Sequence, residues 1–140
     1  MSETKDNKLE GFFKIFESSP FIKHLGIKVV DYTPGYAKLV LPFNKDWTGA
    51  ANAYHGGAVC TLIDTAGAAA AWSGHDFANG MKGSTVDIMV NYLSAGIGED
   101  IFAEAREMKR GRQLVYTEVD VTNGDGKRLA KGLVTYRIVK

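Results

Sequence analysis

Between residues 8 and 18 the apolar positions Leu9, Phe12, Phe13 and Phe16 recur at helical spacing, and Ser18, Ser19 and Pro20 then interrupt them. That pattern predicts a short amphipathic helix. Residues 27–32 and 36–41 are rich in β-branched and aromatic side chains, and Thr33, Pro34 and Gly35 between them are turn formers. They predict a hairpin. Residues 42–53 show no period and carry Asn44, Asp46, Thr48, Gly49 and Asn52, the composition of a loop.

The stretch from Gly56 or Gly57 to Trp72 reads differently. Val59, Cys60, Leu62, Ile63, Ala66, Ala68 and the alanines after it leave no broad polar face. A helix roughly 24 Å long, enclosed by other elements, is expected. Its small residues at 66–71 would let a sheet approach closely. Four strands follow at 84–93, 101–109, 113–122 and 128–139, joined by glycine-containing links, of which NGDG at 123–126 is a strong hairpin signal. The fold class is therefore α+β: a short helix, a strand pair, a buried helix, and a four-stranded antiparallel meander wrapped on that helix. No repeat or linker divides the chain, so residues 1–140 read as one domain.

One residue conflicts with that picture. Asp64 is the only acidic or basic residue between His55 and His75, and a carboxylate carried unpaired into a core is costly. Thr61, Thr65 or a backbone N–H could satisfy it structurally. Desolvation would raise its proton affinity and neighbouring donors would lower it. A catalytic use is the alternative.

Composition narrows the function classes. The 140 residues hold 45% hydrophobic side chains, enough for a single core. Lys plus Arg number 17 against 16 Asp plus Glu, and they are scattered, so the footprint of a nucleic-acid binder is missing. The polar start MSETKDNKLE lacks the pattern of a secretory signal, which makes a cytoplasmic location the expectation. No run suits a membrane span. Cys60, the only cysteine, precludes an internal disulfide and a cysteine-rich zinc site, and its place predicts a buried small hydrophobe.

HGG with Asp nine positions after the His, then STVDIMVNYLSAGIGED, then GRQLVYTEVDVTNGDGKRLAKG, resembles the hotdog-fold acyl-CoA thioesterases of the phenylacetic acid degradation type, within the 4-hydroxybenzoyl-CoA thioesterase superfamily. The likeness runs from about Pro20 nearly to the end. It implies an antiparallel sheet around a long central helix, hydrolysis of an acyl-CoA to a carboxylic acid and coenzyme A, and no metal or other cofactor. It also implies self-association as a homodimer or a dimer of dimers, with the active site between subunits.

Residue roles follow from the same resemblance. Asp64 becomes the general base on water, or a nucleophile forming a mixed anhydride. Gly56 and Gly57 can offer helix-start N–H groups to the thioester oxygen, where the helix dipole adds to their pull. His55 supports the loop and helix start and helps position the thioester, or takes a direct catalytic part. Thr85, with Ser84 adjacent, matches the hydroxyl that helps the acid hold water. Many relatives carry Asn six positions before the His; here that position is Gly49, so either a rearranged loop lets Asn52 serve or that contact is absent. Arg110 and Arg112, with Lys109 beside them, are candidates for the phosphates of coenzyme A, although solvated turn charges are the simpler reading of each. Phe12, Phe13, Phe16, Trp47, Tyr54 and Trp72 are candidates for an acyl slot, or simply core.

Two other classes stay in view. A noncatalytic acyl-CoA sensor would bind without turnover. A hotdog hydratase or dehydratase would make His55 indispensable.

Overall fold

The computed structural model describes residues 3–140. Helix α1 (Glu3–Ser18) and the short α2 (Pro20–Leu25) lead into the hairpin β1 (Lys28–Thr33) and β2 (Tyr36–Leu41). A loop with two single-turn helices, Lys45–Trp47 and Ala50–Asn52, reaches the long helix α3 (Gly56–Ser73). Strands β3 (Lys82–Tyr92), β4 (Ile101–Arg110), β5 (Leu114–Asn123) and β6 (Arg128–Val139) complete the chain.

The expected strands are present, but four of them are not a simple meander. The sheet order is β1-β2-β4-β5-β6-β3, all neighbours antiparallel. Only β4, β5 and β6 run as a meander. β3 lies at the far edge against β6, and β2 takes the place beside β4 that sequence order gave to β3. The connection 94–100 therefore carries the chain across the sheet rather than turning it back.

α2 was not expected, because Pro20 reads as a breaker. Pro20 instead opens a new helix, where its missing N–H costs nothing, and Gly26 closes it at φ +76°.

The sheet curls around α3. Leu62, Ile63, Ala66, Ala69 and Ala70 are fully buried against inward residues such as Leu39, Ala103, Val119 and Val134. Glycine sets the separation. A Cβ at Gly67 would lie 2.6 Å from the Val134 Cβ, and one at Gly132 on β6 would lie 2.5 Å from the Ile63 Cγ2. At the C-terminal end of α3, Phe12 of α1 packs on Trp72 and Phe77 with ring centroids 4.9 and 5.3 Å apart, and Trp72 Nε1 donates to the Tyr136 hydroxyl.

α3 is not enclosed on all sides. Residues Thr65 to Ser73 are buried throughout, yet Gly57 is exposed and Cys60, Thr61 and Asp64 are only partly covered. These four share one face of the first half of the helix. Asp64 thus sits where the sheet's cover runs out rather than deep in the core.

Alanine at position 67 would gain roughly 1 kcal/mol of helix propensity, but overpacking a rigid β-branched neighbour costs about 1–3 kcal/mol. Gly67→Ala is therefore expected to lower the urea midpoint, and adding Val134→Ala should bring part of the loss back. A single variant more stable than wild type would show that the sheet yields.

Candidate active site

The loop before α3 is tied to the connection between β3 and β4, and to itself. Tyr54 N–H donates to the Gly96 carbonyl, Gly98 N–H to the Asn52 carbonyl, Phe43 N–H to Asp100 Oδ1 and Gly49 N–H to the Ala53 carbonyl. Ala51 and Asn52 both hold left-handed backbone, at φ 56° and 58°. Asn52 is exposed, and its side chain makes no hydrogen bond among the described residues. Gly49 faces open space.

His55 is the N-cap of α3. Its N–H donates to the Trp47 carbonyl, and its ring Nδ1 accepts from the Gly57 N–H at 2.9 Å. An accepting Nδ1 places the proton of the neutral ring on Nε2. The imidazole thus does what Ser or Asp usually does at this position. The bond also consumes the Gly57 N–H. The Gly56 N–H, first in the helix, has no acceptor among the described residues, and the helix dipole favours negative charge there. On its other side the Gly56 carbonyl accepts from the Tyr92 hydroxyl at 2.7 Å.

Two turns further on, the Thr61 and Thr65 hydroxyls each bond back to a carbonyl one turn earlier, those of Gly57 and Thr61, at 2.8 and 2.7 Å. Neither satisfies Asp64. Instead Thr85 Oγ1 on β3 donates to Asp64 Oδ1 at 2.6 Å, a short charge-assisted bond. A register shift between Thr85 and Asp87 lies beside it, the kind of bulge that re-aims a strand side chain. Asp64 Oδ2 has no protein partner among the described residues. Ser84 is exposed and makes no side-chain bond there.

The arginines part company. Arg110 Nε donates to Glu107 Oε1 at 2.9 Å and its Nη2 to the Ala71 carbonyl at 2.8 Å, so it caps the C-terminal end of α3. That end is fifteen residues from Gly56, about 22 Å along the axis. Arg112 is exposed in the adjoining turn. The structure does not bring either to Gly56 or Asp64 within one chain.

Cys60, one turn from Asp64, is partly rather than fully buried. Burial, and then the charge of Asp64, push its thiol up from the usual range. Tyr92 was missed from sequence. The NYLSAG strand end hinted at its importance, yet nothing in its spacing announces a contact to a glycine thirty-six residues earlier.

Among the described residues no helix is long and apolar enough to cross a membrane. The model of the thioesterase superfamily matches residues 51–130, which span the end of the loop, α3, β3 to β5 and the start of β6. Acyl-coenzyme A thioesterase 13 of Homo sapiens is 34% identical over 108 residues, covering 76% of this chain and 75% of that one. The crystal structure of zebra fish thioesterase superfamily member 2 superposes with a TM-score of 0.80 at 30% identity, over 94% of this chain and 96% of that one. The E. coli PaaI protein from the phenylacetic acid degradation operon shares the fold at a TM-score of 0.84 and 21% identity, over 98% and 95% of the two chains. A hotdog sheet curled on its central helix, matched over more than half its length by this family, places the chain in the thioesterase superfamily, and it is a thioester hydrolase.

Proposed function

We propose that the chain hydrolyses acyl-CoA thioesters with Asp64 as general base or nucleophile and the Gly56 N–H polarising the carbonyl. The observation that carries this reading is the Asp64 carboxylate itself: one oxygen is fixed by Thr85, and the other has no protein partner among the described residues. As a base, Asp64 takes a proton from water while the water oxygen bonds to the carbonyl carbon. Charge moves onto the carbonyl oxygen at Gly56, the C–S bond breaks, and the proton passes to the leaving sulfur. As a nucleophile, Asp64 forms a mixed anhydride that water then opens. Both routes give the same acid and thiol.

Distance adds a requirement. Gly56 and Asp64 are eight residues apart on one helix, about 12 Å. Reacting atoms must approach to about 3–3.5 Å, and an oxyanion donor to a similar distance, so one carbonyl cannot use both groups of the same protomer. A second copy resolves this. β3 is an edge strand, and Val86 and Met89 on it are 56% and 55% exposed. Pairing two such edges would extend the sheet, cover those side chains, and bring Asp64 of one chain toward Gly56 of the other. Self-association is thus part of the proposal, with coenzyme A entering as part of the substrate.

Free-thiol release from short, medium, long and aryl acyl-CoAs tests the activity. Asp64→Asn is expected to lose roughly 10²–10⁴-fold. Thr85→Val should lose about 10- to 100-fold, as expected for one hydrogen bond to a charged group. A wild type that binds acyl-CoA but turns over none of them would make the domain a sensor.

Proline suits the first helical position and has no N–H, so Gly56→Pro removes the donor while keeping the helix start. It should lose about 10²–10³-fold in rate. Coexpressed with Asp64→Asn, it should recover about a quarter of wild-type activity, since half of the random dimers would carry one intact site of two. No recovery would place both groups in a single-chain site.

His55→Asn keeps an N-cap acceptor and removes the imidazole. Under the hydrolase reading it retains far more activity than His55→Ala. Equal and complete loss in both, with mild loss in Asp64→Asn, would favour hydratase chemistry at His55.

A further inference from the structure

Beside Gly56 lies a cavity of about 390 Å³ that the chemistry above leaves unused. Its inner wall is Tyr54, Val59 of α3, Ile101 of β4 and Leu129 of β6, all buried. Its mouth is Tyr92 and Leu93, each 54% exposed. Gly96 wedges the inner wall: a Cβ there would lie 3.1–3.2 Å from Tyr54, Ile101 and Leu129. Both phenol protons are committed to backbone, Tyr92 to the Gly56 carbonyl and Tyr54 to the Leu41 carbonyl at 3.3 Å, so the rings present apolar faces.

No lining side chain carries a charge. Burial, and then the negative charges of Asp100 and Glu99, push the Tyr54 phenol far above its ordinary range. A pantetheine arm, with two amides, would find Ser94 as the one lining hydroxyl whose proton is uncommitted. A hydrocarbon chain needs no such partner. Each methylene buried here would gain about fourfold in affinity.

We propose that this cavity receives the acyl chain of the thioester, and that it selects an uncharged apolar chain over one ending in a carboxylate. The inference rests on the hydrolase reading for the word acyl, since Gly56 would hold the carbonyl at the cavity mouth. The size of the cavity falls within the range of small-molecule sites.

The test uses uncleavable thioethers, S-butyl-CoA, S-decyl-CoA and an S-alkyl-CoA of decyl length ending in a carboxylate, with binding followed by calorimetry. Wild type should bind S-decyl-CoA at least roughly tenfold more tightly than either of the others. Val59→Phe fills the inner end, and Leu93→Trp narrows the mouth from an exposed position that folding tolerates. Each should cut the decyl-to-butyl ratio to about one-fifth or less of the wild-type value, and the ratio of kcat/KM for decanoyl- and butyryl-CoA should move with it. An unchanged ratio in folded Leu93→Trp, equal binding of the carboxylate-ended compound, or no binding at all overturns the assignment. The chain-length ratio without any thioester cleavage would sink the hydrolase reading and leave the cavity's role standing. Cleavage without chain preference would do the reverse.

Discussion

The closeness of helix to sheet is the constraint on which the remaining features depend. At two points a glycine on one element meets a β-branched residue on the other: Gly67 under Val134, and Gly132 over Ile63. With Ala66, Ala69 and Ala70 also fully buried, the sheet can bend around α3 instead of standing off at the spacing that larger side chains would impose. A bent sheet has a limited arc. It covers the whole second half of α3 and leaves the stripe of Gly57, Cys60, Thr61 and Asp64 partly open. The packing that stabilises the domain therefore decides where a carboxylate can be tolerated.

That placement makes Asp64 affordable without making it idle. The hydroxyls nearest in sequence are spent on helix carbonyls, so the acid receives its one bond from across the fold, at Thr85. The helix start is handled in the same way. His55 takes the second N–H, the first has no acceptor among the described residues, and Tyr92 donates to the Gly56 carbonyl. The preceding loop holds Ala51 at φ 56°, a conformation that costs a non-glycine residue on the order of 1–3 kcal/mol, and three backbone–backbone bonds and one to the Asp100 side chain hold the loop around it.

Much of this was legible from the chain because it is local. Periodicity gave every strand to within two residues, and the helical glycine pair marked the start of α3. Asp64 stood out as the lone charge in an apolar run, and the resemblance paired it with Thr85, which the structure brings within hydrogen-bond distance. The rest depends on neighbours that alternation does not name. Two faces of a strand are written in its pattern, but the partner of its edge is not, so β3 was set beside β4 when it belongs beside β6. Gly56 and Gly57 look equivalent in sequence; the ring nitrogen of His55, two residues before Gly57, separates them. Arg110 looks like a phosphate ligand until Glu107 and the Ala71 carbonyl are seen to occupy it.

Cys60 shows how the same surroundings act on a second candidate nucleophile. It lies between Gly56 and Asp64 on the open face, and a thiolate there would be an intrinsically better nucleophile than any carboxylate. Nucleophilicity belongs to the thiolate, however, and two effects oppose its formation: burial first, then the negative charge of Asp64 one turn away. Neither effect requires a contact that could be lost by a small shift of a loop. Both follow from putting a thiol and a carboxylate on one helix face beneath a partial cover. Burial and the neighbouring carboxylate thus work in the same direction on the Cys60 thiol, which packs as a small apolar side chain on the partly covered face.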